Sequence, residues 1–320
     1  MKRNLAFMLA LTLCLSLFAA CGKTEETKQT EEPEKEEVDM FANSMQKSDP
    51  SQDDAYNLLL VGSSAFVYQL EEIVGMAKAA GIKMVIYDLY YDGCRLKWHC
   101  DWLASGENKY KMYYVDENGR TVTENVGLPY AMGLANWDAI GLCAGGAQEM
   151  RQLSAEDFVS SRKATLDELV GMFRKEFPAS KLYWQQHNAY QVGFSNASFS
   201  ILSPDQQQAD ADTYRKQSKL IAETYDMEWI PRGDAGMIAR ANPVVGDTLC
   251  ARLGIQGNMG DNAHEGDIGG GQYVTACCWF EILFGQSCIG NTWRPDYDLS
   301  EEKIAALQQA AHEAVANRNN

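Results

Sequence analysis

Three side chains in the sequence have the chemical types and the spacing for nucleophilic catalysis. Ser64 follows an apolar run and a glycine, and Asp261 precedes His264 by three residues in the glycine-rich stretch GDNAHEGD. A serine hydroxyl becomes an effective nucleophile when a base accepts its proton, and an imidazole does this best when a carboxylate holds its other ring nitrogen. The pattern therefore predicts Ser64 as the nucleophile, His264 as the base and Asp261 as the group that orients the base.

Each candidate also has a structural interpretation. Ser64 suits the N-cap of the helix predicted after it, because a serine oxygen accepts a hydrogen bond from the first backbone N–H groups of a helix. His187 follows a predicted strand and could either line the same binding crevice as Ser64 or be a structural loop residue. His99 lies close to Cys94 and Cys100, but the spacing lacks the CxxC or HxxxH pattern of a zinc site. We therefore predict no metal and no cofactor.

Apolar runs and amphipathic segments predict where these residues lie in the fold. Leu58–Val61 is a continuous apolar run, typical of a strand that is buried on both faces, and it ends at Gly62. From Phe66 to Ala77 the apolar residues recur at helical spacing. Further strands are predicted at Met84–Leu89, Ala139–Cys143, Lys181–Trp184 and Glu228–Ile230, and further helices near Leu166–Phe173, Asp205–Tyr225, Gln272–Phe284 and Ser300–Ala316.

The alternation of these strands and helices indicates an α/β fold with a parallel sheet covered by helices on both faces. Tyr110–Glu124, with its DENG turn, predicts a hairpin inserted in the series. Ligands of open α/β sheets bind beyond the carboxyl ends of the strands. The loops that open at Gly62, at Asp92 and at Cys143 are therefore expected to face one crevice, and Ser64 lies in the first of them.

Four blocks of the sequence resemble, in the same order, those of the SGNH or GDSL-type hydrolases. The blocks are LLLVGSSAF, YYDGCRLKWH, NWDAIGLCAGG, and GDNAH followed by GGGQYVTACCWFEILFG. The closer resemblance is to a bacterial surface-protein branch catalogued as a domain of unknown function. It implies a flavodoxin-like three-layer α/β/α sandwich and a serine esterase. Ser64, Asp261 and His264 would form the triad, and Ser64, Gly93 and Cys143 the oxyanion hole.

The sequence departs from the pattern of that superfamily at two positions. Ser63 stands before the nucleophile where the superfamily usually has Asp or Asn, and Cys143 aligns with the Asn or Gln that donates to the oxyanion. A thiol is a poor donor beside an amide. Either the activity is low for this reason, or the donor comes from elsewhere, such as the backbone of Gly145 or Gly146.

The N-terminus has the composition of a lipoprotein leader. Residues 1–20 combine a basic start, an apolar run and two alanines, as a signal peptide does, and Cys21 then stands where the bacterial lipobox has its acylated cysteine. The alternative is a buried N-terminal helix. Residues 21–54 are polar and acidic, which predicts a disordered tether, and residues 55–320 are expected to form one domain. We therefore expect a bacterial cell-envelope protein, lipid-anchored to the outer face of the cytoplasmic membrane or to an outer membrane.

The charge and the cysteine count restrict the partners. The formal net charge of −16 argues against nucleic acid and against electrostatic docking on anionic lipid, so the membrane contact would be the lipid anchor alone. Of nine cysteines, seven lie beyond Cys21. An odd number predicts at least one free thiol. The sequence leaves the oligomeric state open.

Two functions from different classes follow. The first is a lipid-anchored esterase that removes acetyl or similar acyl groups from carbohydrate, with a small acylated glycan as its substrate. The alternative is a non-catalytic lipoprotein that binds a solute or glycan with a degenerate form of the same fold. Solute-binding proteins usually have two lobes with the ligand between them, whereas this sequence contains one series of strands.

Overall fold

The computed structural model of the chain describes residues 54–252 and 264–319, and a seven-stranded sheet forms its centre. The strands are β1 (Tyr56–Val61), β2 (Met84–Tyr90), β3 (Tyr110–Asp116), β4 (Gly119–Val126), β5 (Ala139–Cys143), β6 (Lys181–Gln185) and β7 (Glu228–Ile230). Their order across the sheet is β4-β3-β2-β1-β5-β6-β7. All the strands predicted from apolar runs are confirmed.

The sheet is parallel from β2 to β7, and the hairpin of β3 and β4 extends it at one edge in antiparallel pairing. The hairpin predicted as an insertion is thus part of the main sheet. The parallel strands, numbered by their own order along the chain, run 2-1-3-4-5, which is the order of flavodoxin-like folds. The point at which this order reverses lies between β1 and β5.

Helices cover both faces of the sheet. They are α1 (Leu70–Ala79), α2 (Leu96–Ser105), α3 (Leu128–Met132), α4 (Ala147–Met150), α5 (Ala155–Glu176), α6 (Pro204–Thr224), α7 (Arg232–Ala241), α8 (Gly271–Phe284) and α9 (Glu301–Asn317). Helices α1, α7, α8 and α9 pack together, and α2 with α3, α5 and α6 forms the second group. Each group encloses its own apolar core against the sheet. The predicted three-layer sandwich is confirmed.

The segment between β1 and α1 differs from the prediction. Residues 63–69 form turns, and the helix begins at Leu70 instead of Phe66. In a continuous helix the Ala65 carbonyl oxygen would accept from the backbone N–H of Gln69. It accepts instead from three side chains, Gln69, Gln185 and Arg232. The N-cap of α1 is Gln69, so Ser64 does not cap this helix.

The seven cysteines beyond Cys21 are all free and buried, which confirms the prediction of at least one free thiol. Cys94 and Cys100 therefore do not form a disulfide bond in this structure. Among the described residues, no helix combines the length and the apolar character needed to cross a lipid bilayer. The residues predicted as a signal peptide, Cys21, and the predicted tether up to residue 53 lie outside the described residues.

Candidate active site

A cavity of ≈ 300 Å³ lies where the parallel strands end. The loops after β1, β2, β5 and β6, the first residue of α7 and His264 line it: Ser63, Ser64, Ala65, Asp92, Gly93, Arg95, Gly145, Gly146, Ala147, Gln148, His187, Asn188, Tyr190, Asn196, Phe199, Arg232 and His264. The expected crevice at the carboxyl ends of the strands is thus present. It spans the point where the strand order reverses.

Ser64 and His264, which are far apart in sequence, meet in this cavity. The Ser64 Oγ lies 3.0 Å from the His264 Nε2, within hydrogen-bond distance. Ser64 is 9% exposed, so its hydroxyl is reached only through the cavity. The His264 ring lies 5.2 Å from the Tyr68 ring, whose face is covered by the Arg252 guanidinium. The contact between Ser64 and His264 has the geometry that a nucleophile and its base require.

Asp261, the predicted orienting carboxylate, lies outside the described residues, which stop at residue 252 and resume at His264. Its part in a triad remains a prediction.

Two glycine-containing loops line the cavity together with Ser64. Gly93, after β2, has a φ of +62°, a left-handed conformation that favours glycine. Gly145 and Gly146 follow β5, and both line the cavity with Gly93. A side chain at Gly145 would overlap the Cys94 carbonyl oxygen, so the loop after β5 packs directly on the loop after β2. Backbone N–H groups of such loops can stabilise an oxyanion.

The structure does not bring Cys143 to the cavity wall. Its side chain is 3% exposed and belongs to the core between the sheet and α1, with the Sγ 4.0 Å from the Ser63 Oγ. Burial raises the pKa of the Cys143 thiol to about 11, so it stays protonated at neutral pH. Its place in the oxyanion hole stays a prediction. Gly145 and Gly146 line the cavity and Cys143 does not, so their backbone N–H groups are the better candidates for the same role.

The other two histidines singled out in the sequence differ in their surroundings. His187 lines the cavity, where its Nδ1 lies 2.8 Å from the Asn188 carbonyl oxygen. His99 is buried in the core, with its Nδ1 2.6 Å from the Tyr110 hydroxyl. Within residues 54–252 and 264–319, no three His, Cys, Asp or Glu side chains cluster as metal ligands would.

An ion pair beside the cavity was not predicted from the sequence. Arg232, the first residue of α7, pairs with Glu265, and both side chains are buried. The local signal was present but weak, since a glutamate directly follows His264 and an arginine stands two residues after the end of β7. Only the fold brings the two together.

The chain is similar to proteins of one described family. That family, "Domain of unknown function (DUF4886)", matches residues 58–314. The crystal structure of a DUF4886 family protein from Bacteroides uniformis is 25% identical, with a TM-score of 0.71, over 83% of this chain and 97% of its own. The predicted resemblance to a branch catalogued as a domain of unknown function is thereby confirmed. Among curated proteins none matches the chain.

Two bacterial lipases of known structure show a looser similarity. An extracellular lipase from Streptomyces rimosus and a phospholipase A1 from Streptomyces albidoflavus are each 12% identical, with TM-scores of 0.41. Each match covers 72% of this chain and 99% of the lipase. At this TM-score the overlap is too loose to bear on chemistry.

Proposed function

The chain belongs to the DUF4886 family, whose description assigns no activity, and from the geometry of its cavity we propose that it is a serine esterase. The single observation that carries the proposal is the 3.0 Å contact between the Ser64 Oγ and the His264 Nε2 at the carboxyl ends of the strands. A merely structural serine in this loop would cap α1, and Ser64 does not. The described residues form a single sheet, which also differs from the two lobes usual in solute-binding proteins.

The proposed reaction proceeds in two steps. His264 accepts the Ser64 proton as the Oγ attacks the ester carbonyl, and the imidazolium then protonates the departing alcohol as the bond between it and the acyl carbon breaks. Water next attacks the acyl-serine with His264 again as base, which releases the carboxylic acid and restores the serine. Asp261 would orient the imidazole through its second nitrogen.

The negative charge of each tetrahedral intermediate needs donors on the side of the cavity opposite His264. The Gly93 N–H is the first donor that we propose, and the Ser64 N–H is the second. The loop of Gly145 and Gly146 supplies the third in place of Cys143. Donors fixed in the backbone need no reorganisation when the charge develops, which is why removing one commonly costs a hundredfold or more in rate.

The lining of the cavity supports an acyl group on a polar carrier. Three small residues, Gly145, Gly146 and Ala147, line the cavity with Ser64 and leave space for an acyl group beside it. The lining also includes amide side chains, from Gln148 and Asn196, and two aromatic rings, from Tyr190 and Phe199. Amides both donate and accept hydrogen bonds, as sugar hydroxyl groups require, and aromatic faces suit the apolar faces of sugar rings. We therefore propose carbohydrate esters as the substrate class.

We test the activity with the full chain in detergent, using an aryl acetate and an acetylated oligosaccharide and measuring acetate release. Ser64→Ala should reduce turnover by roughly a thousandfold or more. Ser161→Ala, at an exposed position of α5 that does not line the cavity, is the control and should leave turnover unchanged. No hydrolysis of any ester, together with a raised melting temperature in the presence of sugars, would instead support the glycan-binding alternative.

The proposed location is the cell envelope, with Cys21 acylated and the acidic segment of residues 21–54 as a tether. The motif around Cys21 and the composition of the segment after it support this proposal. Metabolic labelling with a fatty-acid probe should mark the full-length protein in bacteria, and Cys21→Ala should remove the mark. Labelling that survives the substitution contradicts the lipoprotein assignment.

A further inference from the structure

One buried guanidinium joins the segments that carry the proposed nucleophile and base. The Arg232 side chain is only 2% exposed, and its Nε and Nη2 both pair with the Glu265 carboxylate in a bidentate arrangement. Its Nη1 donates to the Ala65 carbonyl oxygen at 3.0 Å, and Nη2 also donates to the Asn188 Oδ1 at 3.0 Å. Ala65 directly follows Ser64 and Glu265 directly follows His264.

The Ala65 carbonyl oxygen is bound unusually tightly. Besides Arg232 at 3.0 Å, it accepts from the Gln185 Nε2 at 2.9 Å and from the Gln69 Nε2 at 3.1 Å. The Gln185 Oε1 in turn accepts from the Trp279 Nε1 at 2.7 Å, which fixes the orientation of this amide. A carbonyl oxygen has two lone pairs, and this one is surrounded by three donors. These donors hold the peptide group between Ala65 and Phe66 in one orientation.

Glu265 is held as firmly on the side of the base. Its side chain is buried, and the Arg252 Nη2 donates to its backbone oxygen at 3.2 Å. The next residue is also fixed, because the Gly266 N–H donates to the Leu249 carbonyl oxygen at 2.8 Å. The position of His264 is therefore tied on its C-terminal side to the same guanidinium that holds the Ser64 loop.

We propose that Arg232 is a positioning residue, which acts through Ala65 and Glu265 to keep Ser64 and His264 within hydrogen-bond distance. This inference rests on the proposed esterase function. A buried ion pair adds little net stability compared with well-packed neutral residues, so its presence here calls for another role. The Arg232 guanidinium binds Ala65, which follows the nucleophile, and Glu265, which follows the base. These contacts fit a role in positioning.

The test must avoid leaving one buried charge unpaired, because that can unfold the chain. The variant is therefore the double substitution Arg232→Met with Glu265→Gln, which removes both charges together. The matched control is Arg240→Met with Asp247→Asn, which removes a second ion pair, 2.9 Å between Arg240 Nε and Asp247 Oδ1, that does not line the cavity. Melting temperatures of both variants show whether they are comparably folded.

The first readout is independent of activity. The chain has four histidines, so ¹⁵N-histidine NMR resolves few imidazole signals, and His264→Asn assigns the one of interest. In the wild type, Ser64→Ala should shift the His264 signal, because the hydrogen bond is lost. In the Arg232→Met, Glu265→Gln background the same Ser64→Ala change should leave that signal unmoved, whereas in the control background the shift should persist.

The second readout is kinetic. A misplaced nucleophile should lower the turnover number of the double variant by roughly a hundredfold with KM little changed. Partial unfolding would instead reduce the amount of active protein, and the turnover number per folded molecule would stay the same.

If the His264 response to Ser64→Ala is retained in the double variant, Arg232 does not position the pair and the inference is wrong. If the response is retained and the wild type hydrolyses esters, only this inference fails. If the wild type shows no response, both it and the proposed function fail.

Discussion

His187 and His264 both line the cavity, and their surroundings indicate different roles. Burial, followed by the nearby Arg232 charge, lowers the pKa of His187 to about 4, and its ring packs against Tyr190 and Tyr214. It is thus neutral at pH 7, and its Nδ1 is engaged at Asn188. His264 is the imidazole in contact with Ser64.

Substitution of the two histidines by asparagine should separate these parts. We expect His264→Asn to lower the turnover number on an aryl acetate by roughly a thousandfold or more, because the base is lost. His187→Asn, which keeps a polar group near Asn188, should stay within about tenfold of the wild type, since only the cavity wall changes. Equal losses in the two variants would mean that the base has been assigned wrongly.

Cys143 offers a test of the oxyanion hole. Because its side chain is buried against Gly62 and Ser63, Cys143→Asn places an amide in the core without a prepared partner, at a cost of about 1–3 kcal/mol. We expect a lower melting temperature and no gain in turnover, with Cys143→Ala, which introduces no polar group, as the control. A faster Cys143→Asn enzyme would show that this position does reach the oxyanion.

The sequence made the site predictable in part. Ser64, Gly93 and His264 stand in short blocks whose local spacing carries the chemistry, and all three line the cavity. Arg232 and Glu265 escaped prediction because their meaning depends on a contact between distant segments. The contact between the Arg232 guanidinium and the Ala65 carbonyl oxygen cannot be predicted from periodicity or from a local motif.

At the scale of elements, the loops after β2 and β5 both line the cavity and pack directly on each other. Gly145 packs so closely on the Cys94 carbonyl oxygen that a β-carbon cannot be added without moving one of the two loops. The loops after β2 and β5 therefore hold their backbone N–H groups in a fixed relation. This fixed relation is what an oxyanion hole requires.

Gly145→Ala should accordingly impair catalysis more than folding. We expect turnover to fall by about ten- to a hundredfold, because a displaced loop withdraws an oxyanion donor, with a modest loss of stability. Gly171→Ala is the matched control, since this glycine lies on α5 with open space around it, and alanine there should stabilise the helix by up to about 1 kcal/mol. Unchanged turnover in Gly145→Ala would exclude this loop from the oxyanion hole.

The elements themselves were predictable where they are long or strongly apolar. β1, β5 and β6 are apolar runs with turn signals at their ends, and α6, α8 and α9 were placed within a few residues. Helices α3 and α4 span five and four residues, too few for a periodic pattern to emerge. The start of α1 was misplaced because three side chains from different elements hold the Ala65 carbonyl oxygen.

At the scale of the whole molecule, a buried carboxyl group on α1, that of Glu72, should link stability to pH. Burial raises the pKa of Glu72 to about 8 from its ordinary value of 4.5, and the Tyr297 hydroxyl donates to its Oε1 at 2.9 Å. Between these two values the folded chain keeps a proton that the unfolded chain has released. The free energy of unfolding should therefore fall as the pH rises through this window, by up to about 1.4 kcal/mol per pH unit.

Glu72→Gln should remove this contribution, because glutamine keeps an acceptor for Tyr297 but does not titrate. Burial also raises the pKa of Asp88, so the measured quantity is the difference in slope between variant and wild type in urea unfolding from pH 5 to pH 8. Glu223→Gln, on the exposed surface of α6, is the control and should leave the slope unchanged. Parallel curves for Glu72→Gln and the wild type would show that Glu72 does not couple to folding.

The central claim is that Ser64 is a nucleophile activated by His264, and a fluorophosphonate probe tests it most directly. Phosphonylation requires an activated serine but no particular acyl group or carrier, so the measurement does not depend on the proposed substrate. Mass spectrometry of the labelled full chain should find the adduct on Ser64 in the wild type, and His264→Asn should slow the labelling by roughly a thousandfold. An adduct on Ser63, or labelling at an undiminished rate in His264→Asn, would contradict the account.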